Sequence, residues 1–145
     1  MSQVEHEIFI NVPSDELYAA LLRVEDAPKW MEGLEEVHDV SGRGQGDSFK
    51  WTFKMAGRLT FHGQTVFAVV QPDSYLREEG SGDLTNAWDW RLFPEMAGTR
   101  VKVRVEYTVP GGAMIGAVLD KLFVEKQNQK DLEQSLANLK QLLEG

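Results

Sequence analysis

Polar and apolar residues alternate along much of this chain, and a period of two marks strands that bury one face. From Val4 to Val12, the residues Val4, His6, Ile8, Ile10 and Val12 fall in one phase, with Glu5, Glu7 and Asn11 mostly in the other. Pro13-Ser14-Asp15-Glu16 then opens a helix: Ser14 is placed to cap free N–H groups, and two acids sit at the positive end of the dipole. Leu17, Ala20, Leu21 and Val24 give this helix its apolar side, and Pro28 ends it. Lys29 to Leu34 predicts a second short helix carrying Trp30, Met31 and Leu34 inward, and Glu36 to Val40 a short strand.

From Asp47 the pattern is a β-meander. Phe49, Trp51, Phe53 and Met55 alternate with Ser48, Lys50, Thr52 and Lys54, and Ala56-Gly57 is a hairpin candidate. The next strand, Leu59 to Gln71, is long enough to need a bend, for which Gly63 is the expected place. Ser74 to Glu79 is a weaker strand. Leu84, Asn86, Trp88, Trp90 and Leu92 form the inner phase of the next, and Val101, Val103, Val105, Tyr107 and Val109 that of the last, after a turn over Pro94 to Thr99. Pro110-Gly111-Gly112 closes the sheet. The remainder reads as one helix to about Glu144, striped by Ile115, Val118, Leu119, Leu122 and Phe123 and again by Leu132, Leu136, Leu139 and Leu143. The expected fold is α+β: an antiparallel sheet of about seven strands, wet on one side and lidded by a long C-terminal helix, in β-α-α-β-β-β-β-β-β-α order.

Length and charge narrow the function classes. The 145 residues suit one domain spanning 1–145, and 15 basic against 23 acidic side chains leave a net charge of −8. That balance argues against nucleic acid or an anionic membrane surface as partner, since both reward clustered Lys and Arg. The chain has no cysteine, which excludes disulfides, thiolate metal sites and cysteine nucleophiles and favours a reducing compartment. The N-terminus lacks a secretion signal, and apolar runs such as Val66 to Val70 are far too short to cross a bilayer. A cytoplasmic location without stable membrane insertion is expected. Oligomeric state is not legible.

The element order resembles that of the START-like, helix-grip superfamily (SRPBCC), which takes in the birch-pollen allergen fold and the polyketide cyclase/dehydrase and coenzyme Q-binding families. Ile8-Phe9-Ile10-Asn11-Val12-Pro13-Ser14-Asp15-Glu16-Leu17-Tyr18 looks like the first strand running into its helix, and Lys29-Trp30-Met31 like the tryptophan-bearing second helix. Ser41-Gly42-Arg43-Gly44-Gln45-Gly46-Asp47 resembles the glycine-rich loop before the third strand, and Gly98-Thr99-Arg100-Val101 the hairpin into the last. The resemblance implies a sheet gripping the C-terminal helix around a ligand cavity. Function does not follow from it, because the superfamily hosts binders, carriers and enzymes.

Motif chemistry is sparse. The loop Gly42-Arg43-Gly44-Gln45-Gly46 is followed by a strand, whereas a dinucleotide fingerprint opens a helix, so it reads as a connector. His6, His38 and His62 lie on three elements without metal-ligand spacing, and no G-x-S-x-G elbow is present. No metal or cofactor is expected.

The aromatic inner face is the strongest lead. Trp51, Phe53, Phe61 and Phe67 from the first half of the meander, with Trp88, Trp90 and Tyr107 from the second, form the expected apolar wall. Met114, Leu119, Leu122 and Phe123 would face it from the helix. Glu125 to Asp131 holds no apolar residue although helical phase aims Glu125 or Lys126, and Gln129, along the stripe; the turn either overhangs the sheet edge in water or faces a cavity. Asn86, Tyr107, Glu125 and Gln129 are the candidate hydrogen-bonding groups, and Gly111, Gly112 and Gly116 could let the helix start act as a gate or simply make a turn.

Three functions compete. The first is a non-covalent binder or carrier of a hydrophobic small molecule: an isoprenoid, polyketide, quinone or fatty acyl chain. The second is a polyketide-type cyclase or dehydratase with Glu125 and Tyr107 as acid–base groups and Asn86 polarising a carbonyl. The third is a protein-interaction module using the charged stretch Glu125 to Asp131.

Overall fold

The computed structural model describes residues 2–55, 59–108 and 121–145, with backbone alone at 121 and 122. Strand β1 (Ser2–Ile10) leads into helix α1 (Ser14–Leu22) and a 3-10 turn (Val24–Lys29). Six strands follow: β2 (Leu34–His38), β3 (Ser48–Met55), β4 (Leu59–Gln71), β5 (Tyr75–Gly82), β6 (Asn86–Glu95) and β7 (Gly98–Tyr107). Helix α2 (Lys121–Glu144) completes the described chain. The seven strands form one antiparallel sheet in the order β1-β7-β6-β5-β4-β3-β2. Consecutive strands from β2 to β7 are neighbours, and β1 returns to pair with β7 from Ser2↔Tyr107 to Ile10↔Thr99. The sheet curls as a half-barrel, and α2 packs against it beside β1. This is the expected α+β helix-grip fold.

The core sits on the concave face, where the period-two pattern put it. Phe49, Trp51, Met55, Trp90, Leu92, Val101, Val103 and Val105 are buried there. From the helix side Val124, Leu132, Leu136 and Leu139 close onto them, and α1 adds Leu17 and Leu21. Leu132, Leu136 and Leu139 are buried as expected, but on the first turns of α2 the packed face is offset by one residue from the expected phase. Val124 is buried, whereas Phe123 is 52% exposed, because the packed face runs through Val124, Asn128, Asp131, Ser135 and Leu139 in steps of three and four.

Four local expectations are corrected. Pro13, not Ser14, takes the N-cap position of α1, and no side chain caps this helix. The Ser14 hydroxyl instead meets Thr99 Oγ1 at 2.9 Å; Thr99 donates its proton to the Val12 carbonyl, so Ser14 is the donor. The second short helix is a 3-10 turn that lies earlier, over Val24–Lys29, and Leu34 already belongs to β2. The strand irregularity in β4 falls between Phe67 and Val69 rather than at Gly63. Gly63 has a different task. It faces Trp51 across the β3–β4 ladder, and a Cβ there would collide with the Trp51 ring and the Ser81 carbonyl. The turn between β6 and β7 is also tighter than Pro94 to Thr99, since β6 runs to Glu95 and β7 starts at Gly98.

The glycine loop is a connector tied to itself: Asp47 accepts hydrogen bonds from Gly44 N at 2.9 Å and Ser41 Oγ at 3.1 Å. The Ala56-Gly57 hairpin and the Gly111, Gly112 and Gly116 gate lie outside the described residues.

Candidate functional site

Between the concave face and α2 the chain leaves a cavity of about 150 Å³. An enclosed apolar cavity of roughly that size holds one benzene, so this space, which is partly open to solvent, has room for a ring system. Strand β3 contributes Phe49, Trp51, Phe53 and Met55, and β6 contributes Asn86, Trp88 and Trp90. Strand β7 adds Val105 and Tyr107, the segment after the 3-10 turn adds Trp30, Met31 and Glu32, β2 adds Leu34, and α2 adds Asn128, Asp131, Leu132 and Ser135. All four tryptophans of the chain face this space. Trp88 and Trp90 stack at 5.6 Å with 16° between their planes, and Trp30 meets Trp90 edge-on at 6.0 Å.

Hydrogen bonds hold the wall opposite the sheet. Ser135 Oγ accepts from the Glu32 amide at 2.9 Å, and Asn138 Nδ2 donates to the Trp30 carbonyl at 3.1 Å. These bonds pin the Trp30 segment to α2, so the tryptophan edge cannot drift away from Trp90 without breaking them.

The polar groups converging on the cavity are few. Thr65 on β4 accepts from Trp51 Nε1 at 2.9 Å. Glu78 on β5 accepts from Trp90 Nε1, also at 2.9 Å, and this is its one side-chain hydrogen bond among the described residues. Removal from bulk water pushes the Glu78 carboxyl from 4.5 up to about 7, against the pull of the Trp90 bond. Asp131 is likewise raised by burial, with Gln127, which donates to it at 2.9 Å, pulling the other way. The Tyr107 side chain is 7% exposed and its hydroxyl has no hydrogen-bond partner of good geometry among the described residues. Burial raises its pKa, the neighbouring Glu125 charge adds to the rise, and Asn128 and Ser2 moderate it. A buried hydroxyl without a well-aligned partner is poised to donate to a ligand acceptor.

Of the residues singled out from the sequence, Trp51, Phe53, Asn86, Trp88, Trp90 and Tyr107 come together on the cavity wall. Phe61 and Phe67 are buried in the core away from it; Phe67 packs on Phe49 with ring centres 5.7 Å apart. Gln129 donates to the Glu5 carbonyl at 3.0 Å, and Glu125 accepts from Ser2 Oγ at 2.8 Å, which ties both to β1 rather than to the cavity. Phe123 faces solvent. Met114 and Leu119, and the side chain of Leu122, lie outside the described residues.

Glu78, Asp131 and Asn128 were not anticipated. Their signals exist in the sequence: Leu76, Glu78 and Gly80 share one phase of β5, and Asn128 and Asp131 sit four and one residues before Leu132.

A family profile described as polyketide cyclase / dehydrase and lipid transport matches residues 1–144. The chain belongs to this family. Curated proteins give no match. Among solved structures, the cyclase/dehydrase-family chain is similar to TTHA0849 from Thermus thermophilus, with a TM-score of 0.77 at 21% identity over 97% of this chain and 95% of that one. It is also similar to a START superfamily protein from Mycobacterium smegmatis, with a TM-score of 0.77 at 14% identity over 98% and 97%. A third is the Zhui aromatase/cyclase from Streptomyces, with a TM-score of 0.69 at 16% identity over 94% and 87%. Identities this low show the shared START-like fold. Family and fold together support a hydrophobic ligand-binding or polyketide cyclase/dehydrase role. No helix among the described residues is long and apolar enough to cross a membrane.

Proposed function

We propose that this chain binds a hydrophobic, ring-bearing small molecule non-covalently in the cavity between the sheet and α2. The observation that carries the reading is the combination of four tryptophans around one space with a buried Tyr107 hydroxyl on its wall that has no hydrogen-bond partner of good geometry among the described residues. Ligand sites commonly have this form: a mostly apolar lining with a few converging polar groups that fix orientation. Native mass spectrometry of freshly purified protein, with identification of the released molecule, tests it. The expected result is an adduct lost on solvent extraction and restored by a lipophile that quenches tryptophan emission. Protein that carries nothing, and whose emission no lipophile alters, would refute the reading.

One observation favours a second reading, cyclisation or dehydration of a polyketide-like substrate. Glu78 titrates near neutrality and shares the cavity with the Tyr107 phenol, which is the pairing a general acid–base step needs. In this reading Glu78 takes the place first given to Glu125. Turnover of a poly-β-keto substrate that survives Glu78→Gln unchanged would exclude it.

A further inference from the structure

Resting on the ligand-binding reading, the charge of the cavity wall narrows the ligand class. The ionisable side chains on that wall are Glu32, Glu78, Asp131 and Tyr107; no Lys, Arg or His lines it among the described residues. Among the described residues, a carboxylate brought into this space would meet like charges and no counterion. An ammonium would meet a carboxylate and the faces of stacked tryptophans, both of which stabilise cations.

We propose that the cavity selects ring-bearing ligands whose polar group is an uncharged hydroxyl or a protonated amine, and turns away carboxylates, with Glu78 as the residue that reads the group. Geometry supports the choice of Glu78. It stands on the central strand of the sheet, paired with Phe67 on one side and Trp88 on the other, and Trp90 Nε1 fixes one carboxyl oxygen. The second oxygen remains for the ligand. Tyr107 supplies an independent contact, since its buried hydroxyl, without a well-aligned partner among the described residues, can donate to an alcohol or phenol oxygen.

Binding is then linked to the protonation of Glu78: an ammonium favours its ionised form and a carboxylate its protonated form. The titratable groups that share the cavity wall with Glu78 are Asp131 on α2, Glu32 after the 3-10 turn and Tyr107 on β7, and Tyr18 on α1 is close enough to feel its charge. Strands β3, β4 and β6 present no titratable side chain to the cavity among the described residues. Because Glu78 changes charge near pH 7, an ammonium ligand tightens as pH rises towards that value and then levels off. A carboxylate ligand behaves oppositely, losing about tenfold in affinity per pH unit above the transition because Glu78 must first take a proton.

Three probes with one ring system separate these outcomes: naphthylmethanol, naphthylmethylamine and naphthoic acid, titrated against the intact protein from about pH 5 to pH 8 by tryptophan quenching. In the unsubstituted protein at about pH 8 the amine and the alcohol should bind at least about tenfold tighter than naphthoate. Glu78→Gln should bring the amine down to the alcohol and flatten the inflection near pH 7, while Asp131→Asn leaves that inflection in place. Naphthoate binding as tightly as the alcohol at about pH 8 would overturn the inference without needing any variant, and so would an inflection that persists in Glu78→Gln. If naphthylmethanol itself fails to bind at any pH, the cavity reading falls, and this inference with it.

Discussion

Replacing Glu78 by glutamine should change how stability depends on pH. The folded chain holds the Glu78 proton up to about pH 7, whereas the ordinary value is 4.5. Between those values the folded state binds more protons than the unfolded state, so stability falls as pH rises. The stabilisation is complete below the unfolded value and gone above the folded one. A rise of this size corresponds to about 3 kcal/mol in full, of which about 2.5 kcal/mol disappears between about pH 5 and pH 8. Glutamine keeps an oxygen for Trp90 Nε1–H and cannot ionise. Urea denaturation of both proteins across this range isolates the effect, because every other titrating group contributes to both curves. The unsubstituted protein should lose about 2.5 kcal/mol relative to Glu78→Gln on going from about pH 5 to pH 8, with the steepest loss between pH 5 and pH 7. Parallel profiles, within about 0.5 kcal/mol, would refute the claim that Glu78 is withdrawn from water beside Trp90.

Two further perturbations test the packing that shapes the cavity. Gly63→Ala forces a methyl against the Trp51 ring and the Ser81 carbonyl, neither of which can yield cheaply, and should cost about 1–3 kcal/mol by chemical denaturation. Leu136→Ala removes a side chain with no exposure and should cost about 2–5 kcal/mol, while Leu142→Ala, at a position 52% exposed, should change stability by less than about 0.5 kcal/mol. Equal effects at the two leucines would contradict the assigned face of α2.

How much of this was legible in the sequence depended on whether the pattern was strictly periodic. Strands β3, β6 and β7 bury one face, so a slip of one residue would invert every side chain, and the inward sets around Trp51, Trp90 and Val103 could be read directly. Glu78 was hidden because only Leu76 marks the inner phase of β5; its next two inward positions are Glu78 and Gly80, which carry no hydrophobic signal. On α2 the cavity removes the need for apolar filler, so Asn128 and Asp131 occupy inward positions and the stripe is interrupted. That interruption let the phase drift by one residue, drawing Phe123 and Gln129 inward in place of Val124 and Asn128. Ser14 and Gly63 were misread for a shared reason. Their partners, Thr99 and Trp51, are distant in sequence or across a ladder, and local rules favoured a cap and a bend.

The ligand cavity is the claim on which the functional account depends, and its tryptophans report on it directly. Two-dimensional NMR of the nitrogen-labelled protein, titrated with naphthylmethanol, follows the four indole N–H signals one by one. The account predicts that the signals of Trp30, Trp51, Trp88 and Trp90 all move and saturate together, while the amide signals of Phe93 and Met96, on the exposed outer hairpin, stay in place. Shifts confined to that hairpin, with the indole signals unmoved, would contradict it.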